Sequence, residues 1–343
     1  MSRTGLMRAA GLSGVMRSFR SLIVFAPLGL SAGCAGLDTV GSAAEPTPAT
    51  SVTVYATGAI GDADPSRTIL GPRTGLRFPS AIAVDARGKQ YVANRAGNSV
   101  TVYSSNARGD AAPLRTIVGS RTGLNLPTGL AVDAEGDVYV ANRSGNMITV
   151  YAPTANGNAK PIRTVEGSMT DLNEPTSIAV DAEQTIYVTN LANHSVTLFA
   201  RAASGNVAPV RVIRGKRARL TAAFAITVDR AGAIYVVNSD EKDISGVIVF
   251  APRASGDVAP IRVIAGSATK LETPSGVAVD PRGPIFVSDH GGSSSAGAIR
   301  VYAKGANGNS APLYSIAGSA TRLRPYGLTI DRTREIYVVN QAN

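Results

Sequence analysis

The chain repeats itself. An Asp closing an "AVD"-type run recurs at Asp85, Asp133, Asp181, Asp229, Asp280 and Asp331, at spacings of 48, 48, 48, 51 and 51 residues. Between markers the text is nearly constant. It reads N-R-A-G-N-S-V-T-V-Y from Asn94, a polar turn, P-L-R-T-I-V-G, then L-P-T-G-L-A-V-D-A-E-G-D-V-Y-V-A-N ending at Asn142. The apolar runs are short, rich in β-branched and aromatic residues, and bounded by Gly, Pro, Asn and Asp. None has a helical period. A fixed period of this size, built from such runs alone, implies small sheets repeated around an axis.

Each repeat holds four runs, in the order a, b, c, d. Run a is 80–84, 128–132, 176–180, 224–228, 275–279 and 326–330; run b begins at 90–93 and has copies ending at residues 141, 189, 237, 288 and 339. Run c is 51–55, with copies ending at residues 103, 151, 199, 250 and 302; run d is 67–70, 115–118, 163–166, 211–214, 262–265 and 314–317. There are six of each. The chain enters at c and d and stops at a and b, so the last a and b lack partners unless the first c and d complete their sheet. Such a joint leaves no open edge. The expected fold is all-β: a six-bladed β-propeller of four-stranded blades, closed two strands against two.

The pattern P-x-G-hydrophobic-A-V-D-x-x-G-x-I-Y-V-A-N-x-x-x-N-x-hydrophobic-x-V-Y, seen at 127–151 and nearly as well at 79–103, resembles the NHL repeat. The likeness runs from residue 51 to residue 343. It implies the propeller and leaves the activity open, because such rings host unrelated functions. The fourth and fifth repeats depart most: Ala223 replaces the Pro, and the b–c loops 239–246 and 290–298 are longer.

The first 33 residues read as a secretion signal. Arg3, Arg8, Arg17 and Arg20 precede an apolar stretch at 22–30 that is too short to span a bilayer, and small residues follow. The sole cysteine, Cys34, comes next. The segment L-S-A-G-C resembles a bacterial lipobox, with Ser31 where that pattern more often has Leu. The resemblance implies lipidation at Cys34 and an exported, membrane-anchored lipoprotein of the cell envelope. Ala35 resembles the outer-membrane sorting pattern. Residues 34–50 are small, polar and Pro-containing, a flexible tether. The propeller is then 51–343. Without the four signal arginines, 30 basic and 24 acidic residues remain, a charge of +6. That permits anionic partners without demanding them.

Features that recur in every blade serve the blade. The six Asp precede tight turns, where Asp bonds the backbone two residues on. The Asn ending run b (Asn94, Asn142, Asn190, Asn238 and Asn340, with Asp289 as the exception) suits bridging of loop backbone. Of 18 Tyr and Phe, twelve fall at two repeat positions, in b and in c. That marks inter-blade core rather than a stacking platform.

Function is expected where the blades differ. The d–a and b–c loops open on one rim. It carries Arg73, Arg121, Arg217, Arg219 and Arg324 from d–a segments and Arg95 and Arg143 from b–c loops. The acids Asp62, Asp64, Asp110, Glu135, Asp137, Glu183 and Asp257 are expected on the opposite rim. Phe224 and Tyr326 replace Ser or Thr at the start of run a and are expected at the channel mouth on the basic rim; His290 stands in a b–c loop. These ten residues predict a non-enzymatic binding ring for a protein or an anionic or saccharide ligand of the cell envelope. A monomer is expected, with no cofactor; nucleic acid is disfavoured in that compartment.

A second class is enzymatic. The ring is similar to six-bladed gluconolactonase-type hydrolases and lyases, which implies a divalent ion at the channel mouth held by Glu, Asn and Asp at run ends. This sequence offers Asn94, Asn142, Asn190, Asn238 and Asp289, and no Glu. Two weaker readings concern the long loops: a calcium site at Asp240, Glu241 and Asp243, and a His290–Asp289 base acting on Ser293, Ser294 or Ser295.

Overall fold

A computed structural model describes residues 50–240, 244–292 and 296–341. The expected signal, Cys34 and most of the tether lie outside them. No helix among the described residues is long and apolar enough to cross a membrane.

The chain opens with β1 (Ser51–Tyr55) and β2 (Arg67–Ile69). Blade 1 is β3 (Pro79–Val84), β4 (Gln90–Asn94), β5 (Ser99–Tyr103) and β6 (Arg115–Val118). Blade 2 is β7 (Pro127–Val132), β8 (Val138–Asn142), β9 (Met147–Tyr151) and β10 (Arg163–Val165). Blade 3 is β11 (Pro175–Val180), β12 (Ile186–Asn190), β13 (Ser195–Phe199) and β14 (Arg211–Ile213). Blade 4 is β15 (Ala223–Val228), β16 (Ile234–Ser239), β17 (Ser245–Phe250) and β18 (Arg262–Ala265). Blade 5 is β19 (Pro274–Val279), β20 (Ile285–Asp289), β21 (Ala298–Tyr302) and β22 (Tyr314–Ile316). Blade 6 joins β23 (Pro325–Ile330) and β24 (Ile336–Asn340) to β1 and β2 in the order β2-β1-β24-β23, with Ser51 opposite Asn340.

The fold is therefore the six-bladed propeller with the expected two-against-two closure. Five of the six inner strands begin with Pro, at a position where the ladder asks for no N–H. All twelve repeat aromatics are buried, and each apolar cluster combines side chains of adjacent blades, as where Val52, Tyr337, Ile82 and Tyr103 meet between blades 6 and 1. Burying an aromatic of this kind is worth about 1.5–3 kcal/mol, so blade-to-blade packing carries the ring.

Polar staples reinforce it. Each marker Asp accepts backbone N–H groups of its own turn; Asp85 Oδ1 takes those of Arg87 and Lys89 at 2.8 and 2.9 Å. In five blades its other oxygen accepts the run-b tyrosine hydroxyl, as for Tyr187 and Asp181 at 2.8 Å. The outer-strand Arg lies over that tyrosine in three blades and donates to carbonyls of the next blade's c–d loop.

The c–d loops correct one expectation. They do not stay on the far rim. Each climbs parallel to the outer strand of the preceding blade, as Gly109 bridges Ile69, and its Asp or Asn reaches that blade's d–a turn. Asp110 accepts the N–H of Arg73 at 2.7 Å, Asp257 that of Arg217 at 2.7 Å, and Asp62 that of Ala320 at 2.8 Å. Three acids assigned to the opposite rim thus stand among the arginines. The approach requires glycine: Gly71 has φ +138°, and a Cβ there would lie 2.5 Å from Asp110 Cγ.

Candidate functional site at the channel mouth

The inner strands build the mouth through one recurring irregularity. Every a–b ladder slips once, leaving Ser80, Thr128, Thr176, Phe224, Ser275 and Tyr326 without a cross-strand partner. Such a bulge re-aims its side chain. In four blades the hydroxyl donates to the first carbonyl of the next inner strand. Ser80 bonds Pro127 O at 2.8 Å, Thr128 bonds Pro175 O at 2.9 Å, Thr176 bonds Ala223 O at 3.0 Å and Ser275 bonds Pro325 O at 3.1 Å. Tyr326 breaks the series, and Gln341 Nε2 takes over at Pro79 O, at 2.9 Å. Phe224 breaks it too, and no side chain among the described residues donates to Pro274 O in its place.

The two exceptions meet. The Phe224 and Tyr326 rings pack edge to face, 5.4 Å apart at 70°, above Ser275 of the blade between them. The Arg95 guanidinium lies over Tyr326, 5.5 Å from the ring centre. Burial pushes the Tyr326 hydroxyl above the usual tyrosine range, with Arg95 and Arg143 pulling the other way. Beside the pair is a groove of about 210 Å³ that includes Ser239, Pro274, Ser275 and His290. Below it the axial channel, about 230 Å³, is lined by neutral side chains of the six inner strands.

The structure brings Phe224, Tyr326, Arg95 and His290 together, with Arg143 near enough to act on Tyr326. Arg73, Arg121 and Arg217 are exposed on the d–a turns and do not line the groove. Arg143 is held by Glu174 at 2.7 Å. Arg219 is exposed, with φ +57°. Arg324 is half-buried, its N–H given to Asn340 Oδ1 at 2.9 Å. The rim is cationic but studded with carboxylates. His194, with φ +52°, fills the left-handed turn position that Asn98 and Asn146 take in other blades.

The run-end donors do not fit a shared ion. Asn94 Oδ1 accepts the N–H of Arg77 at 3.1 Å and its Nδ2 reaches Thr101 Oγ1 at 3.1 Å. Asn142 and Asn190 repeat this arrangement, and Asn238 accepts from Thr221 and Ala222. Asp289, 1% exposed, accepts the N–H groups of Glu272 and Thr273, so its carboxylate orients that turn rather than His290. Burial holds its carboxyl above the usual range against those bonds and Arg300. No group of three or more His, Cys, Asp or Glu among the described residues is placed for a metal. Glu241, Asp243 and Ser293–Ser295 lie outside those residues.

Sequence reasoning missed Ser239, Pro274 and Gln341. A signal existed: the residue after the run-b Asn or Asp varies as Arg95, Arg143, Leu191, Ser239, His290 and Gln341, and it sits at the mouth.

A profile of the family described as "Lactonase, 7-bladed beta-propeller" matches residues 48–154. That stretch reaches only from β1 to just past β9, and this ring closes with six blades. No curated protein sequence matches. Among solved structures, the chain is similar to a catalytically inactive virginiamycin B lyase from Staphylococcus aureus with quinupristin, at 11% identity and TM-score 0.57, covering 87% of this chain and 97% of that one. Hydrazine synthase of Kuenenia stuttgartiensis gives 16% and 0.55, covering 77% and 74%. A protein of unknown function from Bacteroides caccae gives 9% and 0.55, covering 79% and 94%. At these identities the likeness shows the fold.

Proposed function

We propose that this propeller is a non-enzymatic binding module that takes an anionic or saccharide-bearing partner on its cationic rim and channel mouth. The observation that carries the reading is the division of chemistry along the axis. The channel is lined by neutral side chains, while its mouth gathers Phe224, Tyr326 and Arg95 and its shoulders expose Arg73, Arg121 and Arg217. In the same proposal Cys34 carries a lipid, residues 34–50 tether the ring to an envelope membrane, and the ring works as a monomer.

The test is retention of the full chain on immobilised dextran sulfate. Combined Arg73→Glu, Arg121→Glu, Arg217→Glu and Arg324→Glu substitution should abolish retention, and added salt should weaken the unsubstituted protein's retention, because exposed charges are screened within about 8–10 Å at ordinary ionic strength. Unchanged retention by the variant removes the proposal.

A hydrolase or lyase is the second reading. The partial lactonase-type match and the lyase among the fold neighbours favour it. It requires a metal or base that the run-end Asn and Asp, spent on backbone, do not offer. Metal content by elemental analysis, with a lactone hydrolysis assay in the presence and absence of added divalent ions, separates the two: bound metal with metal-stimulated turnover establishes the enzyme.

A further inference from the structure

Among the described residues, five of the six seams between inner strands carry a side-chain donor at the mouth, and the seam between blades 4 and 5 does not. The Pro274 carbonyl has Phe224 where its counterparts have a hydroxyl, and it is left to whatever fills the space beside it. Phe224 and Pro274 both line the groove, together with Tyr326, Ser239 and His290. The missing donor, the aromatic pair and the groove coincide in one sector.

We infer that this groove is a subsite for a single pyranose ring, with Pro274 O accepting one of its hydroxyls. The inference rests on the mouth being the ligand site, and it names what that site takes. Four features select the class. The volume, about 210 Å³, falls below the range of roughly 300–1,000 Å³ typical of drug-sized ligands, which matches one ring. Phe224 and Tyr326, set at 70°, form an angled apolar wall that suits the C–H face of a sugar. The Pro274 carbonyl, without a side-chain donor among the described residues, calls for an O–H or N–H, which a purely apolar ring lacks. A carboxylate or phosphate facing that carbonyl would be repelled, so any acidic substituent belongs on the side of Arg95, whose guanidinium covers Tyr326. Ser239 and His290 add groups that can donate or accept.

The experiment is saturation-transfer NMR on the full chain with four probes: methyl β-D-glucoside, methyl β-D-galactoside, methyl β-D-glucuronide and methyl β-D-galacturonide. At least one should receive saturation on its ring C–H protons. Phe224→Thr and Tyr326→Ser should each lower that transfer tenfold or more. Both substitutions copy residues that other blades carry at the same position, so the fold has a template for them, and thermal melts report whether it is kept. His290→Ala, in a loop, should lower the transfer about threefold and serves if either inner-strand variant melts early. Arg230→Glu, an exposed position on an a–b turn away from the groove, should keep it. No transfer to any probe, or transfer that survives Phe224→Thr, Tyr326→Ser and His290→Ala, overturns the inference. Loss of dextran sulfate retention in the charge-reversed protein with no pyranoside signal overturns the subsite and leaves the rim proposal standing. Pyranoside binding with unaltered retention in the charge-reversed protein does the reverse.

Discussion

Asp289 and Arg300 occupy positions that in four other blades hold an Asn and a Thr. There the amide donates to the hydroxyl at 2.9–3.1 Å, as in Asn142 with Thr149 and Asn94 with Thr101. In blade 5 the pair is charged, 3.9 Å apart, with side-chain exposures of 15% for Arg300 and 1% for Asp289, and Arg300 Nε has no hydrogen-bond partner. Breaking a buried pair strands a charge, which costs about 3–5 kcal/mol, whereas replacing both members is often neutral or better. Asp289→Asn and Arg300→Thr should therefore each destabilise by about 3 kcal/mol in urea unfolding. The double substitution, which restores the common blade text, should return to the original stability or exceed it. The pH dependence has a definite sign. Burial raises the folded-state pKa of Asp289, so its contribution is most favourable below its unfolded value and falls as pH rises through the raised one. The advantage of the double variant should grow from pH 4 toward pH 7. The substitution of Asp for Asn was legible in the sequence, but its partner was not. Only the ladder puts residue 289 beside β21, where Arg300 stands in for a Thr eleven residues away.

Among elements, the c–d loop does the most that local sequence hides. Its Gly-Asp or Gly-Asn reads as a tight turn, and that is what the chain alone suggested. In the ring the same two residues form a parallel bridge to another blade and cap its d–a turn. Gly157 bridges Ile117, Asn158 accepts the N–H of Arg121 at 2.7 Å, Thr122 Oγ1 donates to Gly119 O at 2.7 Å, and Tyr151 donates to Thr122 O at 2.6 Å. Gly119 has φ +129°, and a Cβ there would lie 2.5 Å from Asn158 Oδ1. Gly119→Ala should cost about 1–3 kcal/mol, and Asn158→Ala about 1 kcal/mol, the usual loss for a removed cap. The two costs should fall short of additive in a denaturant-based double-mutant cycle, because both act on one turn. The strands, their count and their closure were readable because run length, period and bounding residues are local. The fold of the loops between them depends on contacts with residues roughly forty positions away, and no local pattern encodes those. The same limit applied to the mouth: Phe224 and Tyr326 stood out as exceptions, but their contact with each other is made across an intervening blade.

At the scale of the molecule, all 11 tyrosines lie in the ring, and burial raises the pKa of every one. Tyr103, Tyr139, Tyr151 and Tyr187 are pushed up to about 12; the others are raised by the same cause. A raised folded-state value means stability that is complete below the unfolded value, near 10, and lost as pH climbs toward 12. Tyrosinate absorbance should therefore stay low near pH 10 and rise cooperatively with loss of β-sheet circular dichroism, rather than titrate in independent steps. A gradual rise centred at pH 10 with the sheet signal intact would show that the tyrosines do not staple the blades.

The seam between blades 4 and 5 has a mechanical meaning as well as a chemical one. A hoop with six equal joints has no preferred place to yield. Leave one joint without its latch and whatever slack the hoop possesses is expected to gather there, which would give the ring a fixed hinge line. That line runs beside the aromatic pair. In the proposed pyranose subsite, an occupant whose hydroxyl closes the open joint would tighten the whole circumference.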